Sequence, residues 1–122
     1  MFEVSVKGDF SAAHFLRDYH GKCEKLHGHN WKVEVCVSGR TLDKCGMVID
    51  FKELKDKLNR ILCEFDHSFL NEISYFKKIN PTSENIAEYI YKKLDKQISN
   101  KNLKVKKVSV WESEKSYATF LP

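Results

Sequence analysis

The stretch that decides the fold reads His27-Gly28-His29-Asn30-Trp31-Lys32-Val33-Glu34-Val35-Cys36-Val37-Ser38. Its odd positions hold two histidines, then a tryptophan and three valines, while most even positions are polar. Because successive side chains of a strand point to opposite faces, this alternation predicts a β-strand with one apolar face and two imidazoles at its leading end. A sheet that is apolar on one face needs a second layer to cover it.

A first strand is predicted at the start of the chain, where apolar and polar residues alternate over residues 2–7. The pair Gly8-Asp9 predicts a break, after which the strand resumes as far as His14. Near the end of the chain, alternation predicts two more strands, joined by a turn at Ser113–Ser116, with a bulge near Lys106-Lys107.

Two helices are predicted between these pairs of strands. Apolar residues at helical spacing indicate a helix over 51–64, opened by an Asp50 cap. Pro81-Thr82-Ser83-Glu84 opens the second helix, with Thr82 or Ser83 as its cap. The order β-β-α-α-β-β predicts an α+β domain: an antiparallel four-stranded sheet with two helices on one face.

Length and composition limit the classes of protein to consider. The chain of 122 residues is interpreted as a single domain, 1–122, and its 42% hydrophobic content argues against disorder. No signal peptide and no apolar run of membrane-spanning length is visible, so we expect a cytoplasmic protein with reduced cysteines and no membrane partner. The net charge of +4 is spread over many segments, which disfavours a nucleic-acid partner. A domain this small has little room for a deep pocket, so we expect a neighbouring subunit at the active site.

Cys23-x-x-x-His27-x-His29 is the strongest chemical signal. Two imidazoles on one strand face aim at one point, which suits a zinc ion, and His14 at the end of the first strand is the best third ligand. His-x-His also arises by chance, and either ring could be an ordinary hydrogen-bonded residue. Cys23 could close a structural zinc site as a fourth ligand, or act as a thiolate base or nucleophile beside an open one.

Two further places in the sequence carry groups suited to catalysis or binding. In Asp66-His67, the carboxylate can orient the imidazole, which can relay a proton; an ordinary helix-end histidine beside a solvated carboxylate explains the pair equally. Glu112 is predicted on an inward strand face, where it could accept two parallel N–H bonds from a pterin or guanine ring. A register error would instead leave Glu112 in water.

Six motifs occur in order along the chain: Phe10-Ser11-Ala12-Ala13-His14, Cys23-Glu24-Lys25-Leu26-His27-Gly28-His29-Asn30, Gly46-Met47-Val48-Ile49-Asp50-Phe51 with Leu54-Lys55, Phe65-Asp66-His67 with Leu70-Asn71, Asn80-Pro81-Thr82-Ser83-Glu84-Asn85, and Val110-Trp111-Glu112. Together they resemble the 6-pyruvoyltetrahydropterin synthase family. The resemblance is to its 6-carboxytetrahydropterin synthase branch, in which the cysteine stands four residues before the first histidine of His-Gly-His, as Cys23 does before His27.

The resemblance implies a role for each group of candidate residues. The zinc (Zn²⁺) ligands would be His14, His27 and His29; the proton-transfer residues Cys23, Asp66 and His67; and the pterin-binding residues Glu112, Thr82 and Ser83. It also implies the tunnelling fold, in which the sheets of several subunits form a barrel, with trimers paired into a homohexamer and sites at the interfaces.

The implied reaction converts a pterin triphosphate, 7,8-dihydroneopterin triphosphate, to 6-carboxy-5,6,7,8-tetrahydropterin with loss of triphosphate and acetaldehyde. This is a step toward 7-deazaguanine nucleosides such as queuosine. Zinc would act as a Lewis acid on the substrate's side-chain hydroxyls, Cys23 would take a proton, and Asp66-His67 would return one. Two alternatives stay open: a pyruvoyl product, as in the biopterin pathway, and a non-catalytic zinc-stabilised binding module.

Overall fold

A computed structural model describes residues 1–22 and 24–122. Cys23, predicted to be a zinc ligand or a proton-transfer residue, lies outside the described residues. Within them the chain forms a sheet of five strands and two α-helices. The strands are β1 (Phe2–His14), β2 (His27–Gly39), β3 (Ser68–Phe69), β4 (Leu103–Trp111) and β5 (Tyr117–Phe120); the helices are α1 (Phe51–Leu62) and α2 (Ser83–Ile98). The strand order in the sheet is β3-β1-β2-β4-β5.

The predicted α+β class with two helices is confirmed, but the four-stranded antiparallel sheet is wrong. The chain returns beside β1 after α1, and Ser68-Phe69 pairs parallel to Ala12-Ala13 as a fifth strand. A strand of two residues is too short to show alternation. The sheet is therefore mixed, with β3 as its one parallel strand among the described residues.

The predicted break in the first strand is also wrong, because β1 runs without interruption through Gly8 and Asp9. Gly8 pairs with Val33 in the ladder between β1 and β2. A Cβ atom at Gly8 would lie 2.8 Å from Cδ1 of Leu62, so this glycine allows α1 to approach the strand closely. It marks helix packing and not a turn.

The predicted bulge is confirmed. Cys36 pairs with Lys107, whereas the next residue, Val37, pairs with Val105, so Lys106 is the extra residue of β4. On either side of the bulge the inward positions of β2 and β4 stay in register, and their valines pack with the inner faces of both helices. The central core residues are Trp31, Val33, Val35, Val37, Leu54, Leu58, Ile86, Ile90, Leu94, Val108 and Val110.

Both helices begin at caps indicated by the sequence. The Asp50 carboxylate accepts the N–H of Lys52 at 2.8 Å, and the Thr82 hydroxyl accepts the N–H of Asn85 at 3.1 Å. Of the two candidates for the second cap, Thr82 is therefore correct. The first helix ends at Leu62, two residues earlier than predicted. Among the residues that the structure describes, no helix is both long enough and apolar enough to cross a membrane.

The cap on α2 gives a stability prediction. Thr82→Ala removes the acceptor for a free N–H of the first turn and should lower the free energy of unfolding by about 1 kcal/mol. Thr82→Ser keeps the hydroxyl and is the matched control. Urea unfolding followed by circular dichroism would measure both; equal midpoints for the two variants would show that the hydroxyl does not stabilise the helix.

Candidate metal centre

The pairing of β1 with β2 brings three histidines together. His14, the last residue of β1, is opposite His27, the first residue of β2, and Ala12 is opposite His29. His27 and His29 share the strand face of buried Trp31, and the His14 ring packs against all three rings at centroid distances of 4.6–5.1 Å. One ring nitrogen from each histidine and one carboxylate oxygen of Glu112 lie within 4.8 Å of one another. The residues present could hold a metal ion.

Two backbone carbonyls orient two of these rings. Nδ1 of His14 lies 2.8 Å from the oxygen of Pro81, and Nδ1 of His27 lies 2.8 Å from the oxygen of Lys25. Carbonyl oxygens only accept, so each Nδ1 donates a hydrogen and the neutral ring presents a lone pair at Nε2. Both lone pairs are therefore directed into the cluster.

The two Nε2 atoms of His14 and His27 lie 3.1 Å apart. Facing lone pairs repel at this distance unless a proton or a metal ion lies between them. Two nitrogens bound tetrahedrally to zinc at ~2.0–2.1 Å would be separated by about 3.3 Å. The observed spacing therefore fits a pair of zinc ligands.

His29 supplies the third nitrogen. Its buried Nε2 lies 2.8 Å from Oε1 of Glu112 but lacks hydrogen-bond geometry, and it has no hydrogen-bond partner among the described residues. Burial lowers the pKa of the His29 imidazole, although the Glu112 carboxylate acts in the opposite direction. A neutral imidazole with an unsatisfied buried nitrogen fits a metal ligand.

Glu112 follows the last residue of β4, and its carboxylate faces the three histidines. Its Oε1 lies 2.8 Å from Nε2 of His29, 3.5 Å from that of His14 and 4.0 Å from that of His27. Its side chain keeps 40% of its surface exposed. The family resemblance places Glu112 at a pterin ring; the fold shows that its carboxylate also lies close to the histidines.

Asp66 and His67 form a contact pair at the β3 edge of the sheet. Oδ2 of Asp66 lies 3.0 Å from Nδ1 of His67, and Oδ1 accepts the N–H of Ser11 at 2.9 Å. The pKa of the Asp66 carboxyl is lowered, mainly by the hydrogen bond from the Ser11 N–H and to a smaller extent by the contact with His67. The His67 side chain is 84% exposed. None of the polar contacts described for this pair reaches the histidine cluster.

Thr82 and Ser83 follow Pro81 in the chain. The carbonyl of Pro81 accepts the hydrogen bond from Nδ1 of His14, which brings this segment to the cluster. The Thr82 hydroxyl is occupied as a helix cap, and Ser83 is buried. The structure thus brings together the three histidines and Glu112, with Thr82 and Ser83 nearby, and leaves Asp66 and His67 at the edge of the sheet.

The family follows from comparison of the whole chain with known proteins. The sequence model of the family described as 6-pyruvoyl tetrahydropterin synthase matches residues 3–122. The chain belongs to this family. A structure of 6-pyruvoyl tetrahydropterin synthase from Caenorhabditis elegans superposes with a TM-score of 0.85 at 28% identity, covering 99% of this chain and 95% of the other.

Three curated relatives carry two different names. The chain is 43% identical to a putative 6-carboxy-5,6,7,8-tetrahydropterin synthase of Archaeoglobus fulgidus, over 94% of this chain and 91% of the relative. It is 30% identical to the 6-carboxy-5,6,7,8-tetrahydropterin synthase of Haemophilus influenzae, over 98% and 99%. It is also 37% identical to the dihydroneopterin monophosphate aldolase of Pyrococcus furiosus, over 89% and 88%.

Two asparagines of the pterin-synthase motifs hold the segment that follows His14. Asn71 accepts the N–H of Phe15 at 3.0 Å and donates to its carbonyl at 2.9 Å. Asn80 does the same for Arg17, at 2.8 and 2.9 Å. We call these four hydrogen bonds the asparagine clamp. Asn71 follows Leu70 and Asn80 precedes Pro81 within the motifs quoted above, but only the fold shows what each asparagine binds.

The asparagine clamp is continued by Glu24. Its N–H donates to the carbonyl of Leu16 at 2.9 Å, and its carboxylate accepts the N–H of Leu16 at 3.3 Å. The three residues of segment 15–17 are thus fixed in turn, and Asn80 precedes the proline whose carbonyl orients His14. Both ends of the loop over residues 18–22 are consequently held close to the metal centre.

The asparagine clamp predicts a local change in loop opening. Asn80→Ala removes two hydrogen bonds of about 0.5–1.5 kcal/mol each, so trypsin should cut after Arg17, Lys22 or Lys25 roughly tenfold faster. Asn59→Ala, at an exposed position of α1, is the control. Timed digestion with mass spectrometry gives the rates; equal cleavage in both variants would show that Asn80 does not hold the loop.

Proposed function

We propose that this chain binds zinc through His14, His27 and His29 and converts 7,8-dihydroneopterin triphosphate to 6-carboxy-5,6,7,8-tetrahydropterin, releasing triphosphate and acetaldehyde. The metal proposal rests on the convergence of three imidazole nitrogens, one from each histidine. In two of these rings, His14 and His27, a backbone carbonyl sets the tautomer. The observations that favour this reaction are the names of the Archaeoglobus and Haemophilus relatives and the position of Cys23 four residues before His27.

Bound zinc would supply Lewis acidity to the hydroxyls of the substrate side chain, which acidifies the neighbouring C–H bonds. The protein's part is to bind and to move protons. Cys23 would accept a proton as a thiolate, a form that the nearby Lys22 and Lys25 in the sequence favour. The two oxygens of Glu112 would accept parallel N–H bonds from the pterin ring. Thr82 and Ser83 would shape the wall of the pterin pocket.

Asp66 and His67 would return the proton. The Ser11 N–H and His67 favour ionised Asp66, and the carboxylate in turn orients the imidazole through Nδ1. With its side chain largely exposed, His67 is free to reach a substrate bound to another subunit. We therefore propose that catalytic sites form between copies of the chain.

The assembly proposed is a homohexamer of two trimers in which the sheets join into a barrel. The free edges of the sheet support this assembly. In the described part of the chain, β3 pairs with β1 only at Ala12-Ala13, so residues 2–10 of β1 have no strand neighbour on that side, and β5 has none on its outer side. Unpaired edges are templates for pairing with another chain. We place the activity in the cytoplasm, where the thiol of Cys23 stays reduced.

Two alternative reactions on the same metal centre have specific support. The Pyrococcus relative is named an aldolase, and retro-aldol cleavage would use the same acidified hydroxyls but release a two-carbon aldehyde and a hydroxymethyl pterin. The Caenorhabditis structure is named for the pyruvoyl reaction. The product therefore decides among them.

The ligand proposal predicts loss of metal on substitution. His27→Ala removes one of three nitrogens, so purified protein should contain less than about a tenth of the wild-type zinc. Even the loss of a group that only orients a ligand costs roughly 10–100-fold in metal affinity. His20→Ala, an exposed histidine outside the cluster, is the control. Elemental analysis measures both. Unchanged zinc in His27→Ala would refute the ligand assignment.

The reaction is tested by its products. Zinc-loaded protein given dihydroneopterin triphosphate should form the carboxylated tetrahydropterin and acetaldehyde, identified by mass spectrometry and an aldehyde assay. Cys23→Ala should keep its zinc but lose about 10²-fold or more in turnover, because a general base is removed. Cys45→Ala, which alters an exposed thiol, should keep both.

Each other product points to a different function. A pyruvoyl pterin without acetaldehyde would move the chain to the biopterin-type reaction. A hydroxymethyl pterin, formed from the monophosphate, would identify an aldolase. Absence of turnover by folded, zinc-loaded protein would favour the non-catalytic zinc module, and full turnover by Cys23→Ala would remove that residue from the mechanism.

A further inference from the structure

We propose that Glu112 is an exchangeable fourth metal ligand, which closes the metal centre while the pterin is absent and leaves it when the pterin ring binds. This inference rests on the proposed zinc site and adds a second role to the proposed pterin anchor. It is carried by the position of Oε1, which lies within 4.8 Å of the ligand nitrogens of all three histidines.

The charge around Glu112 favours a cation in the cluster. The described ion-pair contacts of this carboxylate are with His14, His27 and His29 alone, none of them with lysine or arginine. A divalent ion among the four groups would satisfy Glu112 and the unpartnered Nε2 of His29 together.

Glu24 is the other described carboxylate near the cluster, and it does not share this position. Its Oε1 is 3.8 Å from Nδ1 of His27, the nitrogen that faces the Lys25 carbonyl, and it accepts the N–H of Leu16. Glu24 therefore belongs to the loop contacts. Glu112 alone among the described carboxylates faces the nitrogens that carry free lone pairs.

The backbone of Glu112 is held by its neighbours, while part of its side chain faces solvent. The N–H of Glu112 donates to the carbonyl of Ser116 at 3.1 Å, and the neighbouring Trp111 ring stacks on Tyr117 at 4.6 Å. These contacts hold the residue at the mouth of the β4–β5 hairpin. With 40% of the side chain exposed, the carboxylate can turn between the cluster and an incoming ligand.

The two roles of Glu112 exclude each other. Binding the amidine-like edge of a pterin turns both oxygens toward the ring, whereas coordination of a metal needs Oε1 where it now lies, 2.8 Å from Nε2 of His29, so the carboxylate must turn from one partner to the other. A fourth position would then open only when the ring is in place, and the substrate hydroxyls could occupy it. Pterin and metal would be coupled through one side chain.

The test measures zinc affinity of the full chain by competition with a chelator. Glu112→Gln should bind zinc at least about tenfold more weakly than wild type, whereas Glu114→Gln, the same change at an exposed position of the hairpin, should match wild type.

Unsubstituted pterin, which has the ring edge but no hydroxylated side chain, should weaken zinc binding to wild type, because coupling between two ligands is reciprocal. The visible spectrum of the cobalt(II) form should change with pterin in wild type and stay unchanged in Glu112→Gln.

The outcomes separate this inference from the proposed function. Equal zinc affinity in wild type and Glu112→Gln, with matching thermal midpoints of the metal-free proteins, would overturn the ligand role. Weaker zinc binding in Glu112→Gln without any spectral response of wild type to pterin would overturn the exchange. Failure of wild type itself to bind zinc would instead refute the metal centre, and failure to turn over with these results intact would refute only the reaction.

Discussion

The register between β1 and β2 is the constraint on which the rest of the structure depends. It places His14 opposite His27 and sets His29 on the face of Trp31 and the core valines. A slip of one residue would move every side chain of a strand to the other face, taking the histidines away from one another and the valines out of the core. The burial of that apolar face therefore fixes the geometry of the metal centre as well as the fold.

The metal centre is prepared by groups that are not themselves ligands. The carbonyls of Pro81 and Lys25 select the tautomers of two histidines, and Asn80, directly before Pro81, also holds the segment that follows His14. The start of α2, the end of β1 and the loop after it thus meet at a few hydrogen bonds. Such contacts limit the freedom of the histidine rings, which would favour the binding of an ion.

Membership of the 6-pyruvoyl tetrahydropterin synthase family limits the chemistry without selecting one product. Relatives of this chain are named for the carboxy, pyruvoyl and aldolase reactions. In the mechanism proposed above, a metal ion in the histidine cluster would polarise hydroxyls on a pterin side chain in each case. On that proposal, the distinction would come from where Cys23, Asp66 and His67 take and return protons. The ligand set alone does not carry it.

Local patterns in the sequence predicted four of the five strands, both helices and most of the residues that meet in the candidate site. Alternation over residues 27–38 gave β2, caps at Asp50 and Thr82 gave the helix starts, and the motifs gave the three histidines and Glu112. Four features became visible only in the folded chain: β3 joins the sheet, β1 continues through Gly8, the asparagine clamp forms, and the Glu112 carboxylate lies close to the histidines. Periodicity and caps are local properties, written along a few consecutive residues. A two-residue strand pair, or a bond between Asn80 and Arg17 that spans 63 positions, has no local pattern and exists only once packing has brought distant segments together.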